Sequence, residues 1–323
     1  MNTLTLADFS YSHAGLSRPE CLICTKDAGL FASHNGIGVK HFAPDGTVAI
    51  YGRNDGVSVD DFTPNGIALT NDGRLVIANI GLAGGVWQVG RSNDCRPLLM
   101  EVDGMDLYAA NFVLADSDGR LWISISTRKK PRSLAYRPTA DDGYIVLLDQ
   151  RGARIVADGL GYTNECRISN DGGQLYVNET FARRVSRFPI HADGSLGPRE
   201  IFTTLGLGDF PDGGTFDADG WYWMTSVISN RIYRISPSGD AHLIFEDADK
   251  AYIDRAETAF QNNALTSEFL KTVSGSAINH IASIAFGGTD LRTAYLGTLG
   301  MEKLPTFRSD TPGQIPAHWT WTF

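Results

Sequence analysis

The chain lacks the long apolar runs from which membrane spans are built. No uninterrupted stretch approaches the roughly 18–20 apolar residues that a transmembrane helix needs. Residues 1–11 carry neither the basic segment nor the apolar stretch of a secretory signal. Positive charge is also scarce, with 28 Lys and Arg against 37 Asp and Glu, for a net charge of −9. Because nucleic acids bind to basic surfaces, we predict no nucleic-acid partner. The lack of long apolar runs predicts no membrane partner, and the lack of a secretory signal predicts a cytoplasmic location.

Cysteine is rare, and its spacing does not indicate a metal site. The four cysteines are Cys21, Cys24, Cys95 and Cys166. Cys21 and Cys24 have C-x-x-C spacing, but residues three apart on the predicted strand point to opposite faces. No second such pair completes a zinc set. Free thiols are typical of proteins in a reducing compartment, which agrees with a cytoplasmic location.

The motifs of several common enzyme classes are also missing. Gly194-Ser-Leu-Gly197 lacks the G-x-S-x-G frame of a nucleophile elbow and lies in a predicted turn. The Gly-Leu-Gly runs at 159–161 and 206–208 do not open helices after strands, so nucleotide binding is not expected.

What the sequence does contain is a strand–turn frame that recurs six times. In one copy, Asn164 stands eight places before the turn glycine Gly172, with a short strand between them and another after. The first copy differs, because Gly29 stands nine places after Glu20. Repeats of about 40–50 residues with four strands each are typical of β-propellers. We predict an all-β, six-bladed propeller of four-stranded antiparallel blades, formed as one domain by residues 1–323.

The polar residue of each repeat falls at the start of a blade's first strand, which lines the central channel of a propeller. These residues are Glu20, Asn65, Asn111, Asn164, Asp212 and His280. All six side chains can ligate a metal, and we predict that they form a ring at one end of the channel. The alternative is that Asn and Asp are present only as turn formers before a strand.

Two long insertions and both termini carry further expectations. Segments 127–142 and 246–276 follow strands that end at the face of the polar ring, so we expect both on that face as walls of a substrate pocket. The second insertion has helical segments. Residues 3–6 and 319–323 both alternate in polarity, and we expect one of them to close the last blade as a strand.

Three of the repeats also carry a family resemblance. The run that begins at Asn164 and continues through Ser169, Asp171 and Leu175-Tyr-Val resembles the P-N-G-x-x-x-S-x-D-G-x-x-L-Y-V motif of the gluconolactonase/regucalcin (senescence marker protein) family. The segments 210–220 and 111–122 resemble that family's P-D-G-x-x-x-D-x-x-G and N-D-x-x-x-D-x-x-G-R-x-W motifs. The chain is similar, more distantly, to the diisopropyl fluorophosphatase propellers.

The resemblance implies one divalent metal ion in the channel, bound by Glu20, Asn164 and Asp212, with Asn111 close by or coordinating. Such an oxygen-only ligand set favours Ca²⁺, although Mg²⁺, Zn²⁺, Mn²⁺ and Fe²⁺ are also compatible with the family. Asp212 would be the catalytic base or proton shuttle. Asn65 and His280 would contact the substrate or a metal-bound water.

The resemblance implies a metal-dependent lactonase that acts on a small molecule, as a monomer or small homo-oligomer. A phosphotriesterase-like hydrolase and a non-catalytic, metal-stabilised ligand-binding propeller remain alternatives.

This sequence departs from the family at positions near the ring. Ala109 stands where sugar-lactone members carry arginine, and we expect Phe112, Tyr162 and Glu165 to contact a less polar substrate. Alternatively, an arginine of the first insertion supplies the missing hydrogen-bond donors; the candidates are Arg128, Arg132 and Arg137.

Overall fold

Six four-stranded antiparallel sheets surround a central channel in the computed structural model, which describes residues 3–52 and 56–323. Five of the six are simple meanders in which consecutive strands pair, and the sixth takes its outer strand from the N-terminal region. The first strands of neighbouring blades contact one another around the whole ring. The predicted six-bladed propeller is therefore confirmed.

The strands of each blade follow one another in chain order. Blade 1 consists of Leu22–Cys24, Leu30–His34, Gly38–Phe42 and Val48–Gly52. Blade 2 consists of Pro64–Leu69, Leu75–Asn79, Val86–Val89 and Cys95–Leu99. Blade 3 consists of Ala110–Ala115, Leu121–Ile125, Gly143–Asp149 and Gly152–Leu160. Blade 4 consists of Thr163–Ile168, Gln174–Glu179, Arg184–Pro189 and Glu200–Thr204. Blade 5 consists of Pro211–Phe216, Tyr222–Ser226, Arg231–Ile235 and Ala241–Glu246.

The sixth blade is closed by a strand that the sequence pattern did not indicate. Its inner strands are Ile281–Gly287, Thr293–Thr298 and Leu304–Arg308, and its outer strand is Ser10–Ser12 from the N-terminal region. In that pairing Ser10 lies opposite Thr306.

The expectation that residues 3–6 or 319–323 form this strand was wrong, because both segments pack elsewhere. Leu4 donates its backbone N–H to Ile244 of blade 5, at 2.7 Å. Trp319 is buried in a turn, and Trp321 and Phe323 pack against the core. The alternating polarity of residues 319–323 comes from aromatic side chains that pack against the core, and not from a strand at the edge of a sheet.

Few elements lie outside the blades in the described ranges. They are the helix α1 at Lys250–Gln261, three 3₁₀ turns at Leu6–Asp8, Arg132–Ala135 and Ser267–Leu270, and a hairpin of Glu101–Val102 with Met105–Asp106. Asp249 caps α1 by accepting the N–H of Tyr252 at 3.2 Å. Across residues 3–52 and 56–323, helical segments are too short or too polar to cross a bilayer.

Backbone dihedral angles explain the irregular first repeat. In the other five repeats the turn glycine has a positive φ; in Gly172, for example, φ is +76°. In the first repeat this conformation falls on Ala28, with φ of +69°, rather than on Gly29. Ala28 stands eight places after Glu20, so the frame is the same in all six repeats.

Exchanging glycine and alanine at this repeat position should therefore have opposite effects on stability in two blades. Ala28→Gly should raise the free energy of unfolding by about 1 kcal/mol, because the left-handed conformation is unfavourable for alanine. Gly172→Ala should lower it by a similar amount, since an added Cβ there meets no atom within 4 Å and only the backbone conformation matters. Urea unfolding of both variants tests this, and changes of the same sign would contradict it.

Candidate active site

A cavity of about 40 Å³ lies at one end of the channel and is lined by Glu20, Asn111, Asn164 and Asp212. Residues of both insertions close it from above, among them Arg132 and Tyr136 from 127–142 and Leu265, Thr266 and Leu270 from 246–276. The structure therefore brings together the four candidate metal ligands and places parts of both insertions over them.

Hydrogen bonds fix the orientation of the Asn164 amide. The Thr180 hydroxyl donates to the Pro211 carbonyl at 2.7 Å, so its oxygen is left to accept from Nδ2 of Asn164 at 3.0 Å. Oδ1 of Asn164 consequently points away from Thr180. It is buried and has no hydrogen-bond partner among residues 3–52 and 56–323. Because buried polar atoms are nearly always paired, this orphaned oxygen indicates a place for a ligand.

The carboxylates of Glu20 and Asp212 share the cavity wall with the guanidiniums of Arg18 and Arg132. Burial, together with the neighbouring Glu20 and Glu165 carboxylates, raises the pKa of Asp212 well above its usual value. Glu20 forms an ion pair with Arg18, whose Nη2 also donates to Oδ1 of Asn65 at 2.9 Å. The Arg18 guanidinium is thus the cation that is paired with the Glu20 carboxylate in this structure.

Asn65 supports the site from behind instead of lining the cavity. Its Nδ2 donates to the backbone oxygen of Asn111 at 2.9 Å and to Oδ1 of Asn111 at 3.2 Å. Asn111 in turn donates Nδ2 to Ser126 Oγ at 3.0 Å. An amide oxygen has two lone pairs, so Oδ1 of Asn111 keeps one for a ligand.

Phe112 and Glu165, predicted as substrate contacts, lie outside this cavity. Phe112 lines a separate cavity of about 430 Å³ together with Arg167, whose guanidinium lies 4.4 Å from the Phe112 ring centroid. Oε2 of Glu165 accepts from Arg167 at 2.7 Å and from the Gly214 N–H at 3.2 Å. Burial raises the pKa of Glu165 to about 7. Each residue directly follows a ring residue on its strand, and successive side chains of a strand point in different directions.

His280 contacts backbone carbonyls rather than the cavity. Its Nδ1 lies 3.1 Å from the Val227 oxygen and its Nε2 lies 2.7 Å from the Thr272 oxygen. Thr272 belongs to the second insertion, so this ring residue holds that insertion to the propeller. Tyr162, in contrast, does line the cavity, and its hydroxyl accepts from Arg132 Nη1 at 3.2 Å.

Asp247 is a second anchor of the same insertion, and sequence reasoning missed it. Its buried carboxylate accepts from Ser276 N and Oγ, Ala277 N and Ile278 N, at 2.7–2.9 Å. Burial opposes ionisation, but these hydrogen bonds outweigh it and hold the pKa of Asp247 below its usual value. The carboxylate thus joins the two ends of the segment 246–276.

The donor set fits a hard divalent cation by its chemistry. Within residues 3–52 and 56–323, no group of three or more His, Cys, Asp or Glu side chains is arranged for a metal. The candidate set instead combines the carboxylates of Glu20 and Asp212 with the unpartnered amide oxygen of Asn164. Carboxylate and amide oxygens are the donors that Ca²⁺ and Mg²⁺ prefer.

Comparison with family models gives a match to the SMP-30/Gluconolactonase/LRE-like region over residues 46–246, more than half of the chain. The chain belongs to this family. The match contains Asn111, Asn164 and Asp212 but not Glu20 or His280.

Two characterised relatives and one solved structure are similar to the chain. It is 24% identical over 184 residues to a 6-deoxy-6-sulfogluconolactonase from Pseudomonas putida, covering 56% of this chain and 50% of that protein. It thus spans half the length of this relative. It is 26% identical over 242 residues to a pentonolactonase from Haloferax volcanii, covering 73% of this chain and 67% of the relative. A calcium-binding protein, regucalcin, from Agrobacterium tumefaciens shares the fold, with a TM-score of 0.65, 14% identity and 97% coverage of both chains.

Replacing Asp247 should loosen the second insertion in a pH-dependent way. Asp247→Asn should lower the free energy of unfolding at pH 7 by about 2–3 kcal/mol, because an amide accepts fewer of the converging donors. A lowered folded-state pKa contributes stability above the unfolded value near 3.8 and loses it as pH falls through the folded value. The difference between the two proteins should therefore shrink below pH 3.8.

Urea unfolding at pH 7 and pH 3 measures this difference. Asp254→Asn is the matched control within the same insertion, because the Asp254 carboxylate is exposed and pairs only with Lys250 of α1, at 3.1 Å. It should change stability by no more than about 0.5 kcal/mol. Equal effects of the two substitutions would show that Asp247 is not an anchor.

Proposed function

We propose that the protein is a lactonase that hydrolyses the ring ester of a small molecule with one bound divalent cation, Ca²⁺ in the first instance. The observation that carries this proposal is the buried, unpartnered Oδ1 of Asn164 in one cavity with Glu20 and Asp212. Membership of the gluconolactonase-related family and two relatives named as lactonases support the reaction. The calcium-binding description of the structural neighbour supports the choice of ion.

Glu20, Asn164 and Asp212 would hold the cation, with Asn111 as a further oxygen donor. When bound, the cation would supply Lewis-acid polarisation of the lactone carbonyl. Asp212 would accept a proton from the water that attacks the carbonyl carbon, and return it to the ring oxygen as the C–O bond breaks.

The insertions would control access to this chemistry. At about 40 Å³ the cavity is far smaller than the roughly 300–1,000 Å³ of typical small-molecule sites. Tyr136 of the first insertion and Leu270 of the second both form its wall. We propose that these segments move apart to admit the substrate and then exclude bulk water from the reacting ester.

The cellular compartment is a further part of the proposal. Cys21, Cys24 and Cys166 are free thiols. Free thiols suit a reducing compartment, so we propose a cytoplasmic enzyme.

Substitution of Asp212 should separate metal binding from proton transfer. Asp212→Ala should remove bound metal and activity together, and should lose the rise in melting temperature that added Ca²⁺ gives the wild type. Asp212→Asn keeps an oxygen ligand but no base, so it should retain part of the metal while kcat falls by roughly 10²–10⁴.

Metal analysis, thermal melts and a panel of lactones and a phosphotriester, with and without chelator, provide the measurements. Asp219→Asn is the control, because its carboxylate is largely exposed in the same blade. Full metal occupancy and activity in Asp212→Ala would refute the assignment. Turnover of the phosphotriester alone would favour the phosphotriesterase alternative, and metal binding without any turnover would favour a ligand-binding propeller.

Arg18 should weaken cation binding, because its guanidinium forms an ion pair with Glu20, one of the proposed ligands. Arg18→Met should tighten Ca²⁺ binding by roughly tenfold or more, since it removes a like charge next to the ion. It should also lower the melting temperature of the metal-free protein, because Glu20 loses its partner. Calorimetric titration and melts of Arg18→Met and of the charge-retaining control Arg18→Lys test this. Unchanged affinity in Arg18→Met would show that the pair does not compete with the cation.

A further inference from the structure

The cavity that contains Phe112 and Arg167 lies on the propeller axis, at the end of the channel opposite the candidate metal ligands. The first strand of every blade contributes to its wall, and so do the turns that follow the first strands of blades 3 and 4. It shares no lining residue with the cavity at the ring. Its volume of about 430 Å³ falls within the roughly 300–1,000 Å³ of typical small-molecule sites, so an organic ligand fits.

The C-terminal segment 314–318 partly covers this end of the channel. Hydrogen bonds hold the segment on both sides. Gln314 donates its backbone N–H to the Phe216 oxygen of blade 5 at 2.9 Å, and the backbone oxygen of Trp319 accepts from the Lys26 N–H of blade 1 at 3.0 Å. All five residues of the segment line the cavity. The cavity is therefore bounded by a fixed segment as well as by the blades.

Arg167 brings an unused hydrogen-bond donor to this cavity. Its Nη2 donates to Oε2 of Glu165 at 2.7 Å, and its Nη1 donates to the Cys166 backbone oxygen at 3.2 Å. Nε makes no hydrogen bond to the part of the chain that the structure describes, and protein atoms do not fully enclose it. Because donors inside proteins are nearly always paired, this N–H indicates a place for an acceptor oxygen of a ligand or of water.

The charged groups that line the cavity already have partners within the protein. Arg167 pairs with Glu165, and Arg120 pairs with Asp116 at 2.6 Å and with Asp118 at 3.0 Å. A charged ligand would lose its hydration here without gaining an unpaired counter-charge. The charge balance therefore favours an uncharged ligand.

The rest of the wall is largely apolar. Ile23, Ile67, Leu114 and Ile284, from four different blades, all line it. His318 of the covering segment adds no charge near neutral pH, because burial lowers its pKa to about 4. Apolar surface with a few hydrogen-bonding groups is the usual lining of a small-molecule site.

We propose that this cavity is a second ligand site, which binds an uncharged, largely apolar small molecule that carries a carbonyl oxygen. The Arg167 guanidinium donates to that oxygen, and the apolar body of the ligand lies between the blades and the segment 314–318. The site is separate from the ring cavity and does not depend on the lactonase function.

The uncharged naphthalene ketone prodan, 6-propionyl-2-(dimethylamino)naphthalene, is a suitable probe, because its emission shifts to shorter wavelength in apolar surroundings. The wild type should bind one equivalent with that shift. The matched probe with a propyl group in place of the propionyl group lacks the carbonyl oxygen. It should displace prodan roughly tenfold less well, because a hydrogen bond to a charged donor is lost. The anionic 6-(dimethylamino)-2-naphthoate should also bind more weakly than prodan, because the charge of Arg167 is already paired.

Three variants locate the bound probe. Ala285→Phe should abolish binding by filling the cavity, because Ala285 lines it and is half-buried. Ala83→Phe is the matched control, because Ala83 lies in an exposed loop of blade 2 outside the cavity, and it should leave binding unchanged. Arg167→Lys keeps a cation beside Glu165 but has no Nε donor, so it should lose the preference for the ketone while thermal melts show that it folds.

Competition separates this site from the ring cavity. Excess Ca²⁺ should leave prodan binding unchanged, whether or not the protein hydrolyses any lactone. Equal affinities of the wild type for the ketone and the propyl probe, tighter binding of the naphthoate, or displacement of prodan by Ca²⁺ would overturn the proposal. Absence of saturable prodan binding would overturn it as well, and would leave water as the partner of the Arg167 donor.

Discussion

The channel end of the propeller is governed by one constraint: polar side chains at the start of each inner strand must find partners where water is largely excluded. Four of the six ring residues do so through hydrogen bonds or an ion pair; they are Glu20, Asn65, Asn111 and His280. The Asn65 amide, for example, contacts Asn111, while the His280 ring contacts carbonyls. Among the described residues, this network leaves an acceptor oxygen of Asn164 without a partner, in one cavity with the carboxylates of Glu20 and Asp212. This oxygen and the two carboxylates form the candidate site.

The same constraint explains why the second insertion covers the site as an ordered element. A segment of this length between two strands has many backbone groups to satisfy, and buried anchors at its ends reduce the conformations open to it. Asp247 and His280 supply these anchors from the polar side. On the apolar side, Phe260 of α1 stacks on Phe181 at 5.8 Å and meets Phe210 edge to face at 5.1 Å. The insertion is therefore part of the cavity wall.

The fold could be predicted from the sequence because the spacing within each repeat follows directly from backbone geometry. The left-handed turn position recurs eight residues after each ring residue, and the one irregular repeat reflects alanine in place of glycine. Part of the family motif has the same structural origin. Oδ2 of Asp116 accepts from Trp122 Nε1 at 2.8 Å, and Asp217 does the same for Trp223 at 2.9 Å. These aspartates fix turns and tryptophans within blades, so motif matches at such positions indicate the fold more than the chemistry.

The features that sequence reasoning missed depend on contacts between distant segments. Polarity alternation in residues 3–6 and 319–323 could not show which segment would reach the edge of blade 6. Nor could adjacency to the ring show that Phe112 and Glu165 lie outside the cavity that the candidate ligands line. Arg18 could have been singled out by its position in the sequence. It stands two places before Glu20, just as Ala109 stands two places before Asn111.

Ala109 and Arg132 show that the blades and the insertions contribute differently to the cavity. The blades supply the candidate ligands, and their geometry is fixed by strand pairing that tolerates little change. Alanine at 109 removes a guanidinium from blade 3, whereas Arg132 places one over the same cavity from an insertion. An insertion has fewer neighbours to satisfy than an inner strand, so its side chains change with less effect on the fold. The insertions can therefore change the wall of the cavity with less effect on the fold than the inner strands can.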